Sequence, residues 1–371
     1  MSGFRQHQVS AARVMVVGCG ALGNEVLKNL VLMGVTHIVA IDFDVVEIGN
    51  LTRSVLFSKE DAENRRLKVD VVAERLRQIN PSIEIKTICG DISYDVGLGL
   101  IRKMDVIIGC VDSRWARYCI NRLAMRAGVP WVDGGIDNLE GTARVFAPGK
   151  NCYACNLGPE GLKDLSRRMP CSGIIRRHEL AGSVPTTSII ASVIGAILVQ
   201  EALKLVQKDF GTSLCGRMLY YDGEHMTVRT AEYQAYDDEC PEHELWTPIK
   251  ETLTDATLSV NDALSCWYKE LNTTDVTLCL TNDCFVDYVS RRDNDERTFV
   301  MRAGRDVEDH LEHDSALRGI STNAFYQHEY HHINADFPYP NLTLSQLGIP
   351  QEDIVHIVAD GIDHYLELSN R

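Results

Sequence analysis

The sequence predicts an α/β protein built on a doubly wound, Rossmann-like sheet that is parallel or mixed, with a smaller C-terminal α+β domain. Three observations support this fold class. Short apolar runs alternate with helical patterns in the first half of the chain, a glycine-rich turn joins the first apolar run to the first helical pattern, and a second unit with its own pattern starts at about residue 252. We therefore predict two domains, residues 1–250 and residues 251–371.

The first half of the chain shows the pattern strand, turn, helix, strand. An apolar run at Arg13–Val17 leads into GCGALG, a helical pattern over residues 24–33 and a second apolar run, HIVAID. This order is typical of a βαβ unit. Further strands are predicted at residues 83–88, at residues 105–112 and at VPWVDGG, with a helix at residues 69–78. Strands that alternate with helices predict a parallel sheet covered on both faces.

The second half of the chain is less regular. Charged residues 161–180 predict a loop inside a crossover segment at about residues 156–185, and residues 186–206 predict a buried helix. The runs MLYYDG and MTVRTAEYQAY predict a hairpin. The second domain is predicted to contain a helix at residues 260–271, a strand at VTLCL and a final apolar run.

Composition limits the possible partners and locations. The formal net charge of −15 argues against a nucleic-acid partner, because phosphates would be repelled. The polar first 13 residues do not resemble a secretory signal, and most of the 12 cysteines are scattered, so a cytoplasmic location is expected. The most apolar stretch, residues 189–199, is shorter than a membrane span, so we expect no membrane segment.

A nucleotide site is predicted at the glycine-rich turn. Gly18, Gly20 and Gly23 form G-x-G-x-x-G between a strand and a helix, where glycine lets the backbone approach phosphates. Asp42 ends the second strand, where an acid can bind a ribose hydroxyl. Taken alone, these residues fit an NAD-dependent dehydrogenase as well as an ATP-binding protein. A further alternative is a glycine turn that only packs a helix.

The residues that follow Asp42 favour a triphosphate. Asn50, Arg53 and Lys68 come next, and positive side chains neutralise the charge that develops on reacting phosphates. Asp112 ends the fourth predicted strand, at the edge where a doubly wound sheet binds ligands, and a carboxylate there can hold Mg²⁺. We therefore predict ATP and Mg²⁺ as cofactors.

Four residues predict a structural zinc site. Cys152 and Cys155 form C-x-x-C, and Cys240 and His243 form a distant C-x-x-H. Three thiolates and one imidazole complete a tetrahedral zinc shell with no open position for catalysis. The alternative is a set of unrelated cysteines. The C-terminal part also has two H-x-x-H spacings, but their polar context favours solvated histidines.

Cys171 is the candidate nucleophile. It lies in the basic segment SRRMPCSGIIRRHEL, and positive neighbours increase the thiolate fraction of a cysteine. The alternative is an incidental loop thiol.

The motifs GCGALG, IDFD…NLTR, Lys68 and CVDSRWAR resemble the adenylating domain of ubiquitin-like-protein activating enzymes, which the thiamin- and molybdopterin-pathway adenylyltransferases share. The resemblance covers roughly residues 13–244. It implies adenylation of the C-terminal glycine of a ubiquitin-like protein, followed by thioester formation on Cys171. The site roles it implies are ribose binding by Asp42, nucleotide binding by Asp44, phosphate binding by Asn50, Arg53 and Lys68, and service to Mg²⁺ and the reacting centre by Asp112.

The chain departs from the family pattern near its phosphate residues. Ser54 follows Arg53 where the family usually has glutamine. The segment up to Lys68 is two residues longer than usual, so Arg65 or Arg66 competes for the role of that lysine. The family also uses an arginine from an N-terminal helix of a partner subunit. Only 12 residues precede the first predicted strand, which we take as too few for that helix, and Arg5 is a weak candidate for the arginine.

The final run, NLTLSQLGIPQEDIVHIVAD…HYLEL, resembles the end of the β-grasp-like, ubiquitin-fold domain of eukaryotic activating enzymes, over about residues 252–371. This implies that the second domain binds a conjugating enzyme, which receives the thioester. The alternative is a dimerisation or lid module. The family pairs its adenylating domains, which implies a homodimer or a heterodimer.

Two rival functions remain within this family. A sulfur-carrier adenylyltransferase would use Cys171 in persulfide chemistry and would need no platform for a conjugating enzyme. A non-catalytic scaffold subunit would need no active site, and the set of polar residues from Asp42 to Asp112 argues against it.

Overall fold

The computed structural model describes most of the chain, namely residues 4–167, 186–208, 211–233, 237–280, 285–292, 295–302 and 325–370. The chain divides into two compact units. The first contains Met1–Pro159 and Ser183–Leu245, and the second contains Glu160–Gly182 and Trp246–Arg371. The functions assigned above to residues 1–250 and 251–371 stay predictions.

A large sheet forms the centre of the first unit. Its strands are β1 (Arg13–Val17), β2 (His37–Ile41), β3 (Glu84–Ile88), β4 (Val106–Gly109), β5 (Trp131–Asp137), β6 (Glu140–Phe146), β7 (Arg217–Asp222) and β8 (Thr227–Glu232). The eight strands lie in the order β3-β2-β1-β4-β5-β6-β7-β8. The first five pair in parallel and the last three are antiparallel. This mixed, doubly wound sheet confirms the predicted fold class, with its topological switch point between β1 and β4.

Helices accompany this sheet. They are α1 (Gln6–Ala11), α2 (Ala21–Leu32), α3 (Lys59–Glu63), α4 (Lys68–Ile79), α5 (Leu98–Ile101), α6 (Arg114–Ala127), the first part of α7 (Tyr153–Arg167) and α8 (Ser188–Val206). The residues of α7 from Glu160 onward belong to the second unit. Local chemistry sets their ends. The hydroxyl of Ser113 caps α6 by accepting a hydrogen bond from the Ala116 amide at 3.3 Å, and Gly128, with φ +72°, ends the helix in the left-handed conformation.

Helix α8 packs closely against α2. A Cβ atom on Gly195 would lie only 2.8 Å from Cβ of Glu25, so glycine permits the close crossing of the two helices. By length and composition alone α8 could cross a membrane, but half of its most apolar stretch is buried inside the first unit. Ile194 and Leu198 are fully buried in the core beside β5. Helix α8 is therefore buried in the way that core helices are. The expected absence of a membrane segment stays a prediction.

Two segments are helical where the sequence predicted no helix. The residues before β1 do form a helix, α1, because Val9 packs into the core and the Arg5 amide donates to Oε1 of Gln207 at 2.7 Å. Six residues are too short for periodicity to reveal a helix. Residues up to Arg167 are helical as well, although a loop was predicted from residue 161. In this helix Gly158, with φ +63°, makes a kink, and Leu165 is buried.

The second unit is a smaller α+β structure. Its elements are β9 (Ile249–Glu251), α9 (Val260–Leu271), β10 (Val276–Cys279), β11 (Phe285–Arg292), β12 (Asp295–Arg302), β13 (Phe325–Tyr330), β14 (His332–Ile333), β15 (Ile354–Ala359) and β16 (Ile362–Glu367). One sheet has the order β14-β10-β15-β16-β9, and a second has the order β12-β11-β13. Trp267 of α9 and Ile357 of β15 are fully buried in a common core, so this unit has its own apolar centre.

Candidate functional site

The three glycines of the first turn meet different surroundings. Gly18 has φ +94°, and a Cβ there would lie 2.5 Å from the carbonyl oxygen of Cys110. A Cβ on Gly23 would lie 1.9 Å from the carbonyl oxygen of Gly18. A Cβ on Gly20 would meet nothing within 4 Å, because this residue faces open space at the N-terminus of α2. Two glycines therefore permit packing of the turn, and the third leaves room for a ligand.

Replacing Gly23 with alanine is expected to destabilise the fold. The added methyl group collides with backbone rather than with a flexible side chain, and such overpacking costs about 1–3 kcal/mol. In a domain of this size that loss lowers Tm by several degrees, at about 2–4 °C per kcal/mol. Thermal unfolding of Gly23→Ala should show this loss, and the matched variant Gly20→Ala should unfold close to the parent protein. Equal Tm values for the two variants would contradict the packing described for the turn.

Asp42 joins the end of β2 to the glycine turn. Its Oδ2 accepts a hydrogen bond from the Cys19 amide at 2.7 Å, and its Oδ1 accepts from the Asp44 amide at 2.8 Å. Burial raises the pKa of Asp42, and the positive charge of Lys68 and both amide donors limit this rise. The carboxylate is thus fixed next to the turn, in the position where the sequence predicted a ribose-binding acid.

Lys68 begins α4 and points its amine into this acidic site. The residue is only 8% exposed, and its Nζ donates to Oδ2 of Asp44 at 2.7 Å. Burial opposes the charge of the amine, but the carboxylates of Asp42 and Asp44 outweigh it and raise the pKa of Lys68. The amine therefore stays protonated at neutral pH and offers a fixed positive charge beside the glycine turn.

The two arginines proposed as competitors of Lys68 lie differently. Arg66 donates to Oδ1 of Asp61 at 2.8 Å and to Oε2 of Glu74 at 2.8 Å, so its guanidinium holds α3 to α4. Arg65 is exposed and has φ +46°. Of the three positive side chains, Lys68 is the one that the structure pairs with the acids after β2.

Asn50 and Arg53 lie in the loop between β2 and α3. Oδ1 of Asn50 accepts from the Glu47 amide at 2.9 Å and closes the short 3-10 helix Ile48–Asn50. Nη1 of Arg53 donates to the carbonyl oxygen of Gly49 at 3.2 Å, and the side chain is half-buried. Both residues are held by bonds within their own loop, and their contact with a phosphate stays a prediction.

Asp112 follows β4 at the carboxyl edge of the sheet, and its side chain is exposed. Arg117 connects the backbone of Asp112 to β5. Its Nη1 donates to the Asp112 carbonyl oxygen at 3.4 Å, and its Nε donates to Oδ1 of Asp133 at 2.8 Å. Asp133 is fully buried in β5 and also pairs with Arg144. This network was not predicted from the sequence. A charged residue inside the apolar run VPWVDGG was the available signal, since a buried carboxylate requires partners.

The four predicted zinc ligands converge, and their ligand atoms lie within 4.8 Å of one another. Sγ of Cys152 lies 3.7 Å from Sγ of Cys155 and 3.8 Å from Sγ of Cys240. Tetrahedral geometry with Zn–S bonds of about 2.3 Å gives S–S separations of about 3.8 Å. Nε2 of His243 lies 3.1 Å from Sγ of Cys155 and completes the set. The donors and their spacing fit a tetrahedral zinc ion with no open position.

Burial shapes the electrostatics of this cluster. It raises the pKa of the Cys152 thiol to about 11 and that of Cys240 further, and it lowers the pKa of His243. A divalent cation would reverse this effect for the thiols, because coordination stabilises the thiolate. The C-x-x-H segment is anchored to α6 through Glu242, which accepts from the hydroxyl of Tyr118 at 2.6 Å and from Nε of Arg122 at 3.0 Å.

The remaining predicted features are only partly described. Cys171, the predicted nucleophile, lies outside the described residues, as do His310 and His313 of the C-terminal part. His328 and His331 are exposed, and within the described part of the chain neither belongs to a cluster of metal-ligating side chains.

The sheet order and the charged groups at its carboxyl edge are those of a doubly wound, nucleotide-binding domain. The chain belongs to the ThiF family, whose sequence profile matches residues 2–242. This membership confirms the resemblance to the adenylating family and excludes the dehydrogenase interpretation.

Individual relatives support this assignment. The chain is 31% identical over 236 residues to the SAMP-activating enzyme E1 of Haloferax volcanii, covering 64% of this chain and 82% of that protein. It is 30% identical over 227 residues to the molybdopterin-synthase adenylyltransferase of Haemophilus influenzae, covering 60% of this chain and 86% of that protein. The match to the probable adenylyltransferase/sulfurtransferase MoeZ of Mycobacterium tuberculosis is 32% over 229 residues, and there the chain spans only about half, 55%, of the relative.

The fold is also similar to a solved structure, that of MccB from Escherichia coli with ATP. The TM-score is 0.52 at 22% sequence identity, and the match covers 64% of this chain and 68% of that one. At this identity the similarity concerns the fold alone.

Proposed function

We propose that this protein uses ATP and Mg²⁺ to adenylate the C-terminal glycine of a ubiquitin-like protein. The observation that carries the proposal is the buried amine of Lys68, held 2.7 Å from Asp44 beside Asp42 and the glycine turn, in a chain of the ThiF family. Relatives that are named as a SAMP-activating E1 and a molybdopterin-synthase adenylyltransferase support the substrate class.

Each group at the carboxyl edge has a distinct part in this reaction. The open backbone at Gly20 and the N-terminus of α2 receive the phosphates, and Asp42 accepts a hydrogen bond from a ribose hydroxyl. Lys68 exchanges its bond to Asp44 for a phosphate oxygen, and Arg53 adds a second positive charge. The exposed carboxylate of Asp112 would hold Mg²⁺, which neutralises phosphate charge when bound. A carboxylate oxygen of the substrate attacks the α-phosphorus, the bond between this phosphorus and the bridging oxygen breaks, and pyrophosphate leaves.

ATP–pyrophosphate exchange tests this proposal. We expect the purified full chain to exchange labelled pyrophosphate into ATP only when a ubiquitin-like protein ending in glycine is present. The matched control is the same protein with an amidated C-terminus, which has no carboxylate to attack the α-phosphorus. Exchange that persists with the amidated protein, or without any protein substrate, would contradict the proposal.

We further propose that Cys171 receives the acyl group and that the second unit binds a conjugating enzyme. The thiolate attacks the acyl carbon, AMP leaves with the electron pair of the mixed-anhydride bond, and a thioester remains. The basic segment around Cys171 and the resemblance of residues 252–371 to a ubiquitin-fold domain support this step. A thiol of the conjugating enzyme would then accept the acyl group.

Replacing Cys171 with alanine separates the two steps. We expect Cys171→Ala to retain exchange, because adenylation does not use the thiol, and to lose the thiol-sensitive adduct with the ubiquitin-like protein on non-reducing gels. Cys171→Ser should instead form an oxyester that resists reducing agents. If the thiol-sensitive adduct persists in Cys171→Ala, another cysteine is the nucleophile, and if exchange stops, the proposed separation of roles is wrong.

A sulfur-carrier adenylyltransferase is the second candidate function. It is favoured by relatives named as sulfur carrier protein adenylyltransferase, from Thermus thermophilus, and as molybdopterin-synthase adenylyltransferase. This function predicts exchange without a thioester adduct, so the gel experiment on Cys171 distinguishes it from the activating enzyme.

We also infer the remaining properties of the protein from these proposals. The Cys152, Cys155, Cys240 and His243 cluster holds structural zinc, and the protein acts in the cytoplasm as a homodimer or a heterodimer. We propose that its partners are proteins and that it binds neither nucleic acid nor membranes.

A further inference from the structure

A buried amide on α2 holds the glycine turn from inside the protein. Asn24 is fully buried, and its Nδ2 donates to the carbonyl oxygens of Cys19 at 2.7 Å and of Gly20 at 3.1 Å. The N-terminus of α2 at Gly20 is the side proposed to receive phosphates, and the buried carbonyl groups of the turn need partners within the protein. Asn24 provides these partners.

The other end of the same side chain holds a second segment. Oδ1 of Asn24 accepts from the Leu56 amide at 2.8 Å. Leu56 lies in the turn where the Phe57 amide donates to the Ser54 carbonyl oxygen at 3.3 Å, directly after Arg53. One carboxamide therefore joins the glycine turn to the loop that carries Asn50 and Arg53, which we call the Arg53 loop (residues 49–57).

A carboxamide is well suited to this connection. It offers two donors and an acceptor in one rigid plane, and the contacts of Asn24 use both kinds of group. An aspartate of the same shape would keep the acceptor for Leu56 but lose both donors, and it would place a negative charge next to two carbonyl oxygens. An alanine would lose all three side-chain contacts, although its backbone amide would still donate to the Gly20 carbonyl oxygen, and the Leu56 amide would lose its acceptor.

We propose that Asn24 is a positioning residue for ATP, which fixes the Arg53 loop against the glycine turn so that both sets of phosphate-binding groups are in place before the nucleotide arrives. The proposal rests on the proposed function for the identity of the nucleotide. Preorganisation of this kind improves binding because the loop need not be ordered when the ligand binds.

Amide hydrogen exchange of the full chain without nucleotide tests the connection directly. In Asn24→Ala the Leu56 amide loses its acceptor, and we expect its exchange to become at least about tenfold faster. In Asn24→Asp the acceptor remains, so the exchange rate of the Leu56 amide should stay close to that of the parent protein. The matched control is Glu201→Ala, because Glu201 is 2% exposed and its carboxylate accepts from the Leu214 amide at 2.7 Å elsewhere in the first unit. In Glu201→Ala the exchange of the Leu214 amide should become faster, and the exchange of the Leu56 amide should not change.

Direct binding of ATP tests the consequence. Both Asn24 variants are expected to raise the Kd for ATP about tenfold, the effect of losing one buried hydrogen bond or more, whereas Glu201→Ala leaves it unchanged. Unchanged protection of Leu56 in Asn24→Ala, or an equal loss of ATP affinity in the Glu201 control, would overturn the proposal. If Asn24→Ala does not fold, Asn24→Asp still decides through its Kd. These readouts need no protein substrate, so a failure of the adenylation proposal is detected separately by the exchange assay.

Discussion

Replacing Lys68 by methionine is expected to lower ATP–pyrophosphate exchange by about a hundredfold or more without loss of the fold. The amine lies 2.7 Å from Asp44, and the charge of Lys68 also limits the pKa of Asp42. Without it, two carboxylates would face the phosphates with no positive side chain between them. Steady-state exchange at saturating ATP measures the loss. Asp44 is 52% exposed, but Lys68 is buried and also compensates the charge of Asp42, so we expect a Tm loss of a few degrees and no loss of folding.

The pH profile distinguishes a lost charge from a local collapse. Lys68 lowers the pKa of Asp42, so in Lys68→Met the pKa of Asp42 rises further and the acid limb of the exchange profile should move to higher pH. Lys68→Arg is the matched control, since it keeps the charge and should retain more exchange than the methionine variant with an unshifted acid limb. Full exchange in Lys68→Met would show that another group neutralises the phosphates.

Replacing Cys240 with serine is expected to remove bound zinc and strongly destabilise the first unit. Cys152, Cys155 and Cys240 are buried, and their thiols lie with His243 close enough together to bind one metal ion. Structural zinc contributes several kcal/mol to folding, so Tm should fall by about 10 °C or more. Metal content by mass spectrometry and thermal unfolding measure the two effects together.

The matched control for the zinc cluster is His243→Cys. This variant offers four thiolates, which zinc also accepts, and it should bind one zinc ion per chain and unfold near the parent Tm. A parent protein that contains no zinc when purified from zinc-containing medium, or a Cys240→Ser variant with unchanged Tm, would contradict the structural role of the cluster.

Much of the fold followed from short-range patterns. The run Arg13–Val17, the glycine turn and the helix after it could be predicted because apolar runs and glycines report local structure directly. The ligand set of the Cys3His cluster was also accessible, because its two halves each have a characteristic spacing. In both cases the signal comes from motifs of a few neighbouring residues.

The rest depended on contacts between distant parts of the chain. Asn24 reads as an ordinary helix residue, and only the fold shows that it meets Leu56, 32 residues away. Asp133 of β5 pairs with Arg144 of β6, and of these two strands only β5 was predicted. The helix α1 is stabilised by burial of Val9 rather than by its own periodicity. Tertiary contacts of this kind leave little trace in local sequence.

The products of ATP cleavage distinguish adenylation from other uses of ATP. The purified chain would be incubated with Mg²⁺, ATP labelled at the α-phosphate, and a ubiquitin-like protein ending in glycine. We expect release of pyrophosphate, with the α-label first on the C-terminus of the protein substrate and then, once the acyl group has passed to Cys171, in free AMP, because the attack is on the α-phosphorus. Formation of ADP and inorganic phosphate, with no label on the protein substrate, would contradict it, since that outcome requires attack on the γ-phosphorus and a different enzyme class.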